Sequence, residues 1–230
     1  MALALFDLDN TLLAGDSDHE WGNFLADRGL VDAEEYRRAN DAFYAEYQAG
    51  TLDIFAFLRF ALEPLTRYPL DQLLAWRGEF LAERIHTLIL PAARGLVEEH
   101  RAAGDTPVII TATHSFVTAP IAELFGVEAL IATEPEFVEG RYTGEVAGTP
   151  CFQEGKVTRL REWLTERGET LAHSHFYSDS RNDLPLLEQV TYPVAVDPDP
   201  TLAETARHRE WPVRTLRAGD RLQPLDGADG

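Results

Sequence analysis

Cysteine is nearly absent from this chain. Cys151 stands alone among 230 residues, which excludes an intrachain disulfide and any metal site built from several thiolates. Basic residues are also scarce, with 20 Lys and Arg against 39 Asp and Glu and a formal charge of −19. Nucleic acid and anionic membranes both select basic surface, so neither is an expected partner. The sequence has no apolar run of the ~20 residues that a membrane-spanning helix needs. It does not open on a basic stretch followed by an apolar one either, so a reducing cytoplasmic setting is the expectation. Any phosphate bound by so acidic a protein must be attracted locally, by a lysine, main-chain amides or a cation.

What is present is ordinary globular composition, 45% hydrophobic and 26% charged, enough for one large domain or a core with an insertion. Met1 to Phe6 reads as a buried strand that ends in Asp7-Leu8-Asp9-Asn10-Thr11. From Asp16 to about Ile89 the spacing predicts helices only, over Glu20–Arg28, Asp32–Gln48, Leu52–Leu62 and Leu70–Thr87. Aromatic residues are dense there, and most are expected to fill a bundle core while the rest line a cavity.

After Pro91 helices alternate with strands at Thr106–Thr111, Ala129–Thr133, His175–Ser178 and Pro193–Asp197. A hairpin with Glu139-Gly140 at its turn lies between them, and Lys156 opens a helix to Arg167. This order implies βαβ units and a parallel sheet. The expected architecture is α/β, a Rossmann-like parallel sheet core (residues 1–15 and 90–217) with an inserted helical cap (16–89) and a flexible tail (218–230).

Four strand ends carry polar chemistry. Asp7 and Asp9 leave the first on one face if the backbone stays extended, and two anions so close call for a cation or a shared proton. Thr111 ends the second. Lys156 starts a helix, where a lysine opposes the dipole. Asp179 and Asp183 follow another strand, with Asn182 between them. Each alone has a bland reading, as a helix cap, β propensity or a surface lysine. Their joint placement at the carboxyl edge, where open α/β sheets bind ligands, argues against coincidence.

As a set, DxDxT with the later Thr, Lys and DxxxD resembles the haloacid dehalogenase superfamily of phosphatases, in its phosphoserine-phosphatase-like branch (subfamily IB) with a C1-type helical cap. That resemblance implies a phosphoric monoester hydrolase in which Asp7 is the nucleophile and forms an aspartyl-phosphate. Asp9 is then the acid and base, and Thr111 and Lys156 hold the phosphoryl group. It further implies Mg²⁺ bound by Asp7, Asp9 through its main-chain carbonyl, and Asp179, with Asp183 and Asn182 nearby. A phosphotransferase, or a binding module on the same core, remains an alternative.

The substrate is expected to be a small phosphorylated metabolite. The phosphoserine enzymes carry Glu nine residues after the nucleophile, where this chain has Asp16. The position matching their carboxylate-binding Arg is Ala61, and Arg59 lies two residues away, roughly 200° round a helix. Asp16, Asp18, Glu20 and Trp21 instead suit an amine or imidazole. Histidinol phosphate therefore fits better than phosphoserine, which stays the alternative. Arg59, Ala112 and Thr113 complete the expected substrate contacts.

Overall fold

The structure is a computed structural model that describes residues 2–225. Strand β1 (Leu3–Phe6) is buried along its whole length and sits in the middle of a seven-stranded sheet. Alternation along it feeds two cores. Leu3 and Leu5 pack with Val108, Ile110 and Phe176 on one face, while Ala4 and Phe6 join Ile109, Tyr177 and Phe116 on the other. A parallel sheet covered on both faces requires such uninterrupted apolar strands.

The remaining elements follow in chain order. Helices α1 (Ser17–Asp27), α2 (Ala33–Ala49), α3 (Ile54–Arg67) and α4 (Leu70–Phe80) come first, and α4 continues through a π turn into α5 (His86–Leu88). Then come α6 (Pro91–Ala102), β2 (Thr106–His114), α7 (Ser115–Leu124) and β3 (Ala129–Thr133). The hairpin is β4 (Pro135–Val138) and β5 (Arg141–Val146), and its turn residues Glu139 and Gly140 both have positive φ, as a type I′ turn demands. Helix α8 (Glu154–Arg167), β6 (His175–Ser178), α9 (Leu184–Leu187), β7 (Tyr192–Val196), α10 (Pro200–His208), β8 (Val213–Thr215) and β9 (Gln223–Pro224) complete the fold.

The large sheet has the order β3-β2-β1-β6-β7-β8-β9, with all neighbours parallel except β9 against β8. The chain runs from β1 to β2 on one side and returns to β6 on the other, so β1 borders the switch point where α/β sheets hold ligands. Asp7 follows β1 directly. The α/β expectation with an all-helical stretch between β1 and β2 holds, and among the described residues no helix is long and apolar enough to cross a membrane.

Four details differ from expectation. Helix α3 does not stop before Pro64 but runs on to Arg67, because Leu62 and Leu65 continue its buried face past the proline. Strand β2 extends through His114, which carries Thr113 into the site. Helix α10 was not foreseen, although Asp199 caps it and Pro200 sits in its first turn. The tail expected to be flexible from 218 is tied down as far as Leu225, since β9 pairs with β8 and Leu225 N donates to Val213 O at 3.3 Å. Its last residues, 226–230, lie outside the described range.

Candidate active site

The backbone after β1 does not continue as a strand. Leu8–Leu12 turn tightly, with Asn10 at φ 58° and Leu13 N donating to Leu8 O at 3.0 Å. The turn buries Leu8 and Leu12 in the core, and both Asp7 and Asp9 face one pocket. The expected shared face is thus reached through a turn rather than an extended segment.

Asp7 is held by a buried lysine. Lys156 Nζ donates to Asp7 Oδ1 at 2.8 Å and straddles both oxygens of Asp183, at 2.7 and 2.8 Å. Ser178 Oγ steadies Asp183 at 2.7 Å. Burial works against the lysine's charge, but Asp183 and Asp7 outweigh it and hold the ammonium above its ordinary pKa. That explains a lysine in the first turn of α8, where the dipole opposes it. Gly155 makes the approach possible, because a Cβ there would lie 2.0 Å from Pro150 O.

Asp9 is fixed from two sides. Its Oδ1 accepts from Ser17 N at 2.6 Å, and its Oδ2 from Thr113 Oγ1 at 2.8 Å and Thr111 Oγ1 at 3.5 Å. Burial, with the charge of Asp16 adding to it, raises Asp9 to about 7. Burial likewise brings Asp7 to about 7, although Lys156 opposes the shift. Thr11, left without a role in the sequence reading, joins two acids: its Oγ1 lies 3.4 Å from Asp7 Oδ2 and 3.0 Å from Asp179 Oδ1, and it accepts from Asp179 N at 3.1 Å. Burial and the charge of Asp7 hold Asp179 well above the usual carboxylate range.

Asp7 and Asp183 therefore share the Lys156 ammonium, while Asp9, Asp16 and Asp18 line the same pocket as Asp7 and Thr11 joins Asp179 to it. An all-oxygen donor set, in which burial pushes Asp7, Asp9 and Asp179 towards their neutral forms, has the chemistry that accommodates a hard divalent cation.

The pocket encloses about 540 Å³ of empty space, its mouth included. Thr111, Ala112 and Thr113 line its floor with Asp7 and Asp9. Helix α1 contributes Asp16, Asp18 and His19. Helices α2 and α3 bring Asn40, Phe43, Tyr44, Tyr47 and Phe57, and Phe152 closes one side. Asn182 bridges the two halves, accepting from Gln153 Nε2 at 3.1 Å and donating to Tyr47 O at 3.1 Å. Four of the aromatics between Asp16 and Ile89 line the cavity, Trp21 and Phe24 are core, and Phe55 is exposed.

Three expected substrate contacts lie elsewhere. Glu20 does not line the pocket and turns instead towards the opposite charge of Arg84, 3.7 Å away. Trp21 is buried among Phe24, Phe80 and Phe116, since its ring completes the aromatic core beneath α1. Arg59 projects outward beside Glu35 and Glu63, and Ala61 packs inward, as the periodicity of α3 requires. Among the described residues no arginine lines the pocket.

Comparison with known proteins gives this geometry a family. A model of haloacid dehalogenase-like hydrolases matches residues 4–188. A histidinol-phosphatase of Neisseria meningitidis serogroup C (strain 8013) is 51% identical over 94% of this chain and 99% of its own length. Phosphoserine phosphatase SerB1 of Mycobacterium tuberculosis is 34% identical over 94% of this chain and 71% of its own. A crystal structure of a protein of unknown function from Bordetella pertussis Tohama I is 49% identical, with TM-score 0.87 over 92% of this chain and 97% of that one. A substrate-bound phosphoserine phosphatase shares the fold at TM-score 0.67 and 19% identity, covering 88% of this chain and 89% of its own. With its acids, lysine and threonines gathered at the switch point of the sheet, the chain belongs to the haloacid dehalogenase-like hydrolases, and within them to the phosphatases.

Proposed function

We propose that this phosphatase hydrolyses histidinol phosphate in the cytoplasm, through an aspartyl-phosphate on Asp7 and with Mg²⁺ bound. The observation that carries the substrate is the pocket wall, which is acidic and aromatic and among the described residues holds no arginine. A phosphoserine carboxylate would meet only like charge there, whereas an amine and an imidazole meet carboxylates and ring faces. The 51% identical relative named histidinol-phosphatase supports the same reading.

Asp7 Oδ attacks phosphorus, and the bond to the substrate oxygen breaks. Asp9, raised to about 7 by burial, gives its proton to the departing alcohol. It then takes a proton from water, whose oxygen attacks the aspartyl-phosphate and frees phosphate and Asp7. Lys156 neutralises charge beside Asp7, and the hydroxyls of Thr111 and Thr113 hold Asp9 in place. Asp7, the Asp9 main-chain carbonyl and Asp179 would hold Mg²⁺, which when bound neutralises phosphoryl oxygens.

Phosphate release from histidinol phosphate and phosphoserine, at matched concentrations with Mg²⁺, tests the proposal. Wild type is expected to favour histidinol phosphate strongly, and Asp7→Asn to lose turnover of both. A preference for phosphoserine overturns the substrate assignment, and turnover surviving Asp7→Asn overturns the mechanism.

A further inference from the structure

The mechanism leaves a group of buried polar atoms unused. Ser17 Oγ, Asp18 Oδ2, Trp21 Nε1 and both ring nitrogens of His114 are shut off from solvent without a hydrogen-bond partner among the described residues. Each such group forfeits its hydration and gains nothing in return, so a protein rarely keeps several together without use for them. Of these residues only Asp18 also lines the pocket.

Asp18 differs from its neighbours in having a buried oxygen without a partner among the described residues. Asp9 is engaged by Ser17 N and Thr113, and Asp7 by Lys156. Asp16 Oδ1 caps α1, accepting from Asp18 N at 3.0 Å and His19 N at 2.8 Å. The His19 ring meets Asp41 at 2.8 Å. Asp18, only 7% exposed, has its Oδ1 3.5 Å from Nε2 of the fully buried His114, while its Oδ2 meets nothing.

We propose that Asp18 receives the cationic group of the substrate, an alkylammonium or imidazolium, and that His114 positions it from behind. The proposal rests on the phosphatase reading above and deepens it. Burial lowers His114 to about 3, so its ring is neutral and carries one N–H. Its Nε2 faces Asp18 Oδ1 at 3.5 Å, too long for a full hydrogen bond, and leaves Oδ2 for the ligand. Burial, reinforced by the charges of Asp16 and Asp9, disfavours ionised Asp18. An arriving cation supplies the missing opposite charge, and a neutral ligand cannot, so the arrangement selects for charge. Phe43, Tyr44 and Phe57 line the same pocket and offer ring faces to the remainder of such a ligand.

The test uses histidinol, which has the amine and imidazole but no phosphate, with wild type, Asp18→Asn and His114→Gln. Calorimetric affinity for histidinol is expected to fall about 10- to 100-fold in Asp18→Asn, the range for losing a charge-assisted hydrogen bond. The ratio of kcat/KM for histidinol phosphate to that for p-nitrophenyl phosphate should fall with it, mainly through KM. His114→Gln should shift both readouts the same way by less, and it carries the test if Asp18→Asn fails to fold. Wild-type affinity and ratio in both variants, or no binding of histidinol to wild type, overturns the proposal. Failure of the phosphatase reading shows separately, as absence of Asp7-dependent phosphate release from either ester, while the histidinol titration still judges Asp18.

Discussion

At the scale of single residues, Lys156 carries the largest consequence. It neutralises two buried acids at once, so Lys156→Met leaves Asp7 and Asp183 facing each other without a cation. Loss of one partner from a buried ion pair costs about 3–5 kcal/mol, and removal of one transition-state donor costs about 10²–10³ in kcat. Both losses are expected, measured by urea unfolding and by steady-state phosphate release. His114 gives a prediction of opposite character. Its folded pKa of about 3 lies below the ordinary 6.5, so between those values the unfolded chain binds the extra proton. Its contribution to stability is therefore complete above about pH 6.5 and fades as pH falls towards 3, by up to about 1.4 kcal/mol per pH unit. The sign for the buried carboxylates is reversed, since Asp7 and Asp9 are raised to about 7 and favour the folded state as pH falls. Comparing wild type with His114→Phe isolates the histidine. The variant should gain on wild type in melting temperature as pH drops from 7 to 5, and parallel curves would refute a neutral buried ring.

At the scale of elements, the site depends on how closely α8 approaches the loop before it. Gly155→Ala would place a Cβ 2.0 Å from Pro150 O, a backbone atom that cannot swing aside. The start of α8 must then shift and carry Lys156 with it. Overpacking of this kind costs typically about 1–3 kcal/mol, and a misplacement of about 1 Å near the chemistry can cost about 10²-fold in rate. Thermal unfolding and kcat of Gly155→Ala check both; wild-type values would show that the loop yields freely. The same scale shows what the sequence made legible. Strands β1, β3 and β6 were readable because their apolar runs end in acids or hydroxyls at the sheet edge. Asp7 and Asp179 were readable because each directly follows such a strand, Asp9 and Thr111 because they lie within three residues of a strand's end, and Lys156 because a lysine in a helix's first turn opposes the dipole. Trp21, Glu20 and Arg59 were not, because their composition suits a binding site while the rotation of α1 and α3 decides which way they face. Thr11 had no expected role, and Thr113 was expected to meet substrate rather than Asp9, for another reason: their partners are 168 and 104 residues away, and only the packed sheet brings them together.

At the scale of the whole molecule, the formal charge of −19 is distributed unevenly in its effects. Most acids are solvated and cost little, but those around the pocket are buried and repel one another. A ligand that relieves this repulsion binds the folded state alone, because the unfolded chain does not assemble Asp7, Asp9 and Asp179. Mg²⁺ is accordingly expected to stabilise the protein, by about 2.7 kcal/mol at a free concentration one hundred times Kd. For a domain of this size about 2–4 °C accompanies each kcal/mol, so scanning calorimetry should show a rise of several degrees. Chelation with EDTA should reverse the rise and stop turnover together. Asp179→Asn provides the control, because it removes one carboxylate while leaving the Lys156 ion pairs intact. It should melt no lower than wild type without metal, since a like charge has left a buried cluster. It should also show little further gain on adding Mg²⁺. A full Mg²⁺ response in Asp179→Asn would place the cation away from Asp179 and remove that residue from the proposed ligand set.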